Sequence, residues 1–158
     1  LTLAPRALLE ATPPSAGLLS LSLEPDGMPF QVKTTDRLDV VDVADEVEGR
    51  VPADIERGLC TVFVKHTTAG LAVNEAEQRL LGDIESYLQE LVPDADGYAH
   101  DALDGNADSH LRALLLDESV SVPVRDGSLD LGTWQSILLV DCDGPRTRSV
   151  TVTCTQSV

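Results

Sequence analysis

Three histidines, His66, His100 and His110, are all the imidazoles that this 158-residue chain carries. His66 stands at the end of an alternating apolar run, in Lys-His-Thr-Thr-Ala-Gly. The other two fall in a polar stretch, Tyr-Ala-His-Asp-Ala-Leu-Asp-Gly-Asn-Ala-Asp-Ser-His, which ends at His110. Imidazole is a common ligand of zinc and related ions, and three of them with one open position is how a catalytic metal is held. Asp101 or Asp104 could orient a ring from behind. The spacing is not a diagnostic metal motif, and each histidine has a plainer reading. His66 on the apolar face of a strand suits a buried, hydrogen-bonded ring; His110 shares a stripe with Leu114; His100 suits a surface loop.

A second group of residues suits an anion. Residues 67–70, Thr67, Thr68, Ala69 and Gly70, form a small-residue bend whose amides and hydroxyls could cradle a phosphate. Arg146 follows Asp-Gly-Pro and would add a bidentate donor; the plain alternative is a β-turn with an exposed arginine. Asn74 and Glu75 lie at a strand-to-helix junction. There Glu75 could serve as general acid or base, or simply as a favourable charge at a helix N-terminus. Gln135 falls on a strand face with Ile137 and Leu139, which makes it a satisfied buried amide or a residue facing a site. Trp134 beside it reads as core filling.

Elements that would position these residues follow from periodicity. Strands are predicted over residues 30–34 and 37–41, and Asp42 can cap a helix running to about Val51. The strongest strand covers residues 59–66, with Cys60, Val62, Val64 and His66 on one face. A further strand follows over residues 70–74. The longest helical pattern spans residues 75–91; its buried stripe is Leu80, Ile84, Leu88 and Leu91, supported by Leu81 and Tyr87, and Pro93 stops it. A short helix over residues 108–116 is expected to bury Leu111, Leu114 and Leu115. Val120, Val122 and Val124 alternate, Asp126-Gly127 signals a hairpin, and residues 129–142 continue as a central strand. Residues 148–154 alternate as a last strand. This pattern predicts an α+β single domain, a largely antiparallel sheet packed against a few helices. Residues 1–27 hold four prolines and no continuous pattern; they read as an N-terminal extension, outside the native domain or disordered, with the domain over residues 28–158.

Composition narrows the partners. The net charge is -16, with 11 basic and 27 acidic residues, and only Lys33 and Lys65 are lysines. A basic footprint for nucleic acid is therefore not expected. No apolar run approaches the roughly 18 residues of a membrane span, and no signal peptide is expected at the first residues. Acid excess with little lysine suits a halophilic source, where salt screens self-repulsion, as well as an ordinary acidic protein. Cys60, Cys142 and Cys154 lie in apolar strand patterns without C-x-x-C spacing, so buried free thiols in a reducing, cytoplasmic setting are expected.

At the residues singled out above, the chain resembles the small YjbQ-like family, described as secondary thiamine-phosphate synthase enzymes. The resemblance is carried by His66-Thr-Thr-Ala-Gly-Leu, Asn74-Glu75, Tyr98-Ala-His100-Asp101, Asn106-Ala-Asp-Ser-His110-Leu, Leu131-Gly-Thr-Trp-Gln135 and Asp143-Gly-Pro-Arg146. These six blocks stand in the family's order over about residues 30–155. The resemblance implies an α+β homotrimer in which His66, His100 and His110 hold a divalent metal, zinc, and a weak thiamine-phosphate synthase activity. One departure is Asp141, where the family more often has a glutamate of longer reach. Two function classes follow. One is a metal-dependent enzyme, transferase or hydrolase, acting on a small phosphorylated or pyrophosphorylated molecule: Glu75, Asp101 and Gln135 would be catalytic, and Thr67, Thr68, Asn74 and Arg146 would bind the substrate. The other is a non-catalytic trimer that binds a metal or an anionic metabolite.

Overall fold

In the computed structural model, which describes residues 27–157, two antiparallel sheets lie face to face and a helix covers the outer side of the second. The expectations for residues 1–26 lie outside the described residues. Along the chain come β1 (Met28–Lys33), β2 (Asp39–Asp42), α1 (Ala44–Glu48), β3 (Arg57–Val64), β4 (Ala69–Asn74) and α2 (Gln78–Leu91). A 3-10 turn (Ala99–Ala102), α3 (Ala107–Ala113), β5 (Ser119–Arg125), β6 (Ser128–Leu129), β7 (Ser136–Asp141) and β8 (Thr147–Gln156) complete it. The first sheet has the order β1-β8-β3-β5-β6 and the second β2-β7-β4. This is the α+β single domain that the periodicity predicts, with its strands divided between two sheets.

Alternation explains the layers. In β3 the residues Cys60, Val62 and Val64 point inward, and Val122, Val124, Val150 and Val152 from β5 and β8 join them. Ile137 and Leu139 of β7 meet this layer from the second sheet. The intervening Leu138 and Val140 face the other way and pack with Leu88 of α2. β7 is thus buried on both faces along its whole length, as an uninterrupted apolar run requires. With fully buried aliphatic side chains contributing about 1.5–3 kcal/mol each, this strand anchors both layers.

Several expectations need correcting. Cys60 and Cys154 are direct cross-strand partners on β3 and β8 and are joined as a disulfide; only Cys142 is a free thiol, and it is buried. Trp134 and Gln135 precede β7 in an exposed turn, so neither is a core residue. The stripe of α2 ends earlier than predicted: Leu88 is buried, whereas Tyr87 and Leu91 are exposed. In α1, Val43 holds the N-cap position, although the Asp42 carboxylate still accepts from the Ala44 amide.

The largest reversal is α3. Leu111, Leu114 and Leu115 face outward, Leu114 at 79% exposure, while Ala107, Asp108, Ser109 and Arg112 are buried. The reason is polar. Arg112 donates to the Val92 carbonyl beyond the end of α2 and to the Asp94 and Asp108 carboxylates, and Asp108 also accepts two bonds from Arg37. Buried carboxylates and guanidiniums are tolerated only when paired in this way, and the pairing fixes which side of the helix turns inward.

Candidate functional site

The Thr67-Thr68 turn between β3 and β4, the loop into α3, α3 itself and the start of β8 meet around one open cleft of about 530 Å³. It is lined by His66, Thr67, Thr68, Asp104, Asn106, His110, Asp143, Arg146 and Arg148. The cleft forms at the end of β4 and β7 where Ala69 pairs with Asp141. Here the inward alternation runs out and polar residues take over the sheet positions.

Beneath the cleft lies a buried ion pair. Asp141 is inaccessible to solvent and accepts from Arg148, from the Thr34 hydroxyl at 2.7 Å and from the Asp143 amide at 3.0 Å. Burial alone would push the Asp141 carboxyl up, but these donors outweigh it and hold the carboxyl below the usual range. Arg148, also buried, donates to the Thr68 hydroxyl at 3.1 Å, which ties the turn to the pair. Arg146 is fixed from the other side: its Nε donates to the Asp143 carbonyl at 2.6 Å and its Nη2 to the Asp143 carboxylate at 2.8 Å. Arg146 is thus exposed and held by its own turn, as in the plainer of the two sequence readings, while it also lines the cleft.

His66 is half buried, and its Nε2 accepts the Ser149 amide at 2.8 Å. That bond uses the Nε2 lone pair and leaves the ring hydrogen on Nδ1. Burial, with Arg148 next, lowers its pKa from the ordinary value and so favours the neutral ring. His100, in the exposed 3-10 turn, and His110, on α3, lie edge to face with ring centroids 5.1 Å apart. Among the described residues no group of three or more His, Cys, Asp or Glu is placed to hold a metal ion. In this arrangement the His66 Nε2 lone pair is engaged by the Ser149 amide, while the His100 and His110 rings stand side by side.

The remaining candidates fall into two places. Thr67, Thr68 and Arg146 belong to the cleft. Asp101 lies just behind it, where its Oδ1 accepts the Ala107 amide at 2.9 Å and so starts α3. Glu75 and Gln135, by contrast, lie with Trp134 in a separate depression beyond the other end of β4, where Asn74 pairs with Ser136. The five-residue step along β4 separates the two ends by roughly 17 Å. Gln135 accepts the Gly132 amide at 2.8 Å and Asn74 the Glu75 amide at 2.9 Å, both local turn contacts. Sequence reading missed Asp143, Asn106 and Arg148 as lining residues. The signal for Arg148 was a charge on the inward-facing set of β8.

An antiparallel two-sheet domain with a polar cleft at the sheet ends, carrying these motif blocks, defines a class that comparison identifies. The chain belongs to the UPF0047 protein YjbQ-like family, whose model matches residues 28–157. A UPF0047 protein of Archaeoglobus fulgidus is 50% identical over 125 residues, covering 79% of this chain and 98% of that protein. UPF0047 protein YugU of Bacillus subtilis is 35% identical over 125 residues, covering 76% of this chain and 92% of its own length. Among solved structures, a hypothetical protein of Aeropyrum pernix superposes with a TM-score of 0.80 at 42% identity, covering 84% of this chain and 99% of that one. A protein of Sulfolobus solfataricus described as YbjQ-like and of unknown function gives 0.78 at 38% identity, covering 82% and 96%. The family's function is not established.

Proposed function

We propose that the cleft binds, and in an enzyme would turn over, a small phosphorylated metabolite. One observation carries this reading. His66, Thr67, Thr68, His110, Arg146 and Arg148, from separate stretches of the chain, line a single open cleft. Guanidinium, hydroxyl and imidazole donors around one space match the oxygens of a phosphate group. The test is calorimetric titration with inorganic phosphate, pyrophosphate and a simple phosphate monoester. Arg146→Ala is expected to weaken binding by roughly 10- to 150-fold, as loss of a charge-assisted donor costs about 1.5–3 kcal/mol. No binding by any of the three anions would end the proposal. Thiamine-phosphate synthesis, implied by the family resemblance, is one reaction to assay on the same preparation.

A metal centre is the second reading, on one observation. Two imidazoles bound to a common tetrahedral ion have centroids roughly 5 Å apart, given Zn–N bonds of about 2.0–2.1 Å, and His100 and His110 stand at 5.1 Å. Zinc content of the purified protein, with and without His110→Ala, decides it; a sub-stoichiometric content in both would remove it. Self-association, a trimer by the resemblance, is supported by the exposed stripe Leu111, Leu114 and Leu115 on α3.

A further inference from the structure

The cleft leaves one group of residues unused. Beyond the other end of β4, Glu75, Trp134 and Gln135 line a depression of about 330 Å³ whose lining holds no Lys, Arg or His. Gln135 is spent on building it. Its Oε1 accepts the Gly132 amide at 2.8 Å, and its own amide donates to the Gly132 carbonyl at 2.9 Å. The turn over residues 132–135 is therefore closed twice, and it runs straight into β7, the strand buried along its whole length. What this turn carries is Trp134, 72% exposed. An aromatic side chain of this size gains most by being covered, and here local bonds hold it in water instead.

The charges narrow the guest. Glu77 caps α2 by accepting the Leu80 amide at 3.3 Å and pairs with Arg79 at 3.0 Å. It thereby answers the positive end of the helix, which would otherwise draw an anion. Glu75 is half-buried, and among the described residues no donor reaches its carboxylate; its own amide goes to Asn74 Oδ1 at 2.9 Å. A guest in the depression thus meets one unspent carboxylate and one unspent indole. The carboxylate asks for a positive charge, and an indole face attracts a cation through its ring quadrupole. A bare metal ion would need several oxygen ligands and has no use for the ring. A neutral apolar guest would desolvate Glu75 without compensating it. An organic ammonium ion satisfies both groups, its charge meeting the carboxylate and its alkyl groups covering the ring.

We propose that the depression at Glu75 and Trp134 binds a small organic ammonium ion. This site stands apart from the phosphate cleft, roughly 17 Å away along β4, and does not depend on it.

Trp134 is the chain's one tryptophan, so its emission reads the depression directly. The full chain is titrated with tetramethylammonium chloride at constant ionic strength, and with tert-butanol, a neutral molecule of similar size. Saturation-transfer NMR on the methyl protons of each registers contact even where emission does not move. Tetramethylammonium is expected to give a saturable response, half-complete at about 1–10 mM and at least about 5-fold tighter than tert-butanol. Glu75→Gln is expected to raise the half-saturating concentration roughly 5- to 10-fold, and Trp134→Ala to remove the NMR response. Glu75→Ala, read the same way, covers the case in which the glutamine variant does not fold. An equal response to tert-butanol, or a half-saturation unchanged in the folded Glu75 variants, overturns the proposal. So does the absence of a saturable response in both readouts; emission that instead shifts with protein concentration gives the indole to a second copy.

Discussion

Replacing Asp141 by leucine removes the one carboxylate that, among the described residues, is bonded to the buried Arg148. The Thr34 hydroxyl and the Asp143 amide lose their acceptor in the same step. Breaking a buried pair from one side costs about 3–5 kcal/mol, because an uncompensated charge stays in a low-dielectric site. With the two orphaned donors added, the upper end of that range is expected. At a urea m-value of about 2 kcal/mol/M the midpoint moves down by roughly 2 M. Replacing both partners, Asp141→Leu with Arg148→Met, is expected to recover most of the loss, since an apolar pair of similar volume is often neutral. Acid behaviour gives an independent reading. The folded Asp141 carboxyl lies below its ordinary value of 3.8, so its contribution is present above that value and is lost as pH falls through the folded value. Asp141→Leu should lack this part of the acid limb. A single variant losing less than about 1 kcal/mol, or a double variant as unstable as the two singles combined, would refute the reasoning.

Other consequences are quick to check. In denaturant without reductant, one thiol per chain should react with a thiol reagent. In the folded protein it should react very slowly, because burial pushes Cys142 up to about 12; a count of three would remove the Cys60–Cys154 bond. Leu114→Glu should change stability by no more than about 0.5 kcal/mol, since the side chain is exposed, and on the self-association proposed above it should lower the mass read by light scattering. His66 has a folded pKa below its ordinary 6.5, so the unfolded chain takes up its proton first as pH falls. Stability should therefore decline below about pH 6.5, and His66→Gln should flatten that decline; identical pH profiles would show that the ring does not titrate as argued.

The strands were legible because alternation and burial agree. Val62 and Val64, or Ile137 and Leu139, have no competing way to satisfy themselves than to turn inward. The short helix misled for the opposite reason. Leu111, Leu114 and Leu115 have the spacing of a buried stripe, but Asp108 and Arg112 have partners in Arg37, Asp94 and Val92 that are distant in sequence. A long-range ion network leaves no periodic signature. The same limit hid Arg148 and Asp143 from the cleft, since each is defined by a contact across the fold. It also let Glu75 and Gln135 stand beside the histidines in the motif order when the paired strands β4 and β7 place them at the opposite end. The cysteines failed for want of register: Cys60 and Cys154 face each other only once β3 and β8 are paired.

The strand β7 has a hydrogen-bonded neighbour on each side and apolar layers above and below. Its amides should be the last to exchange with heavy water, opening only when the entire domain does. The turns and the helix start that surround the cleft hang from the final residues of that strand and the loop after it. Guest-sized excursions there can therefore come and go on a base that does not breathe with them.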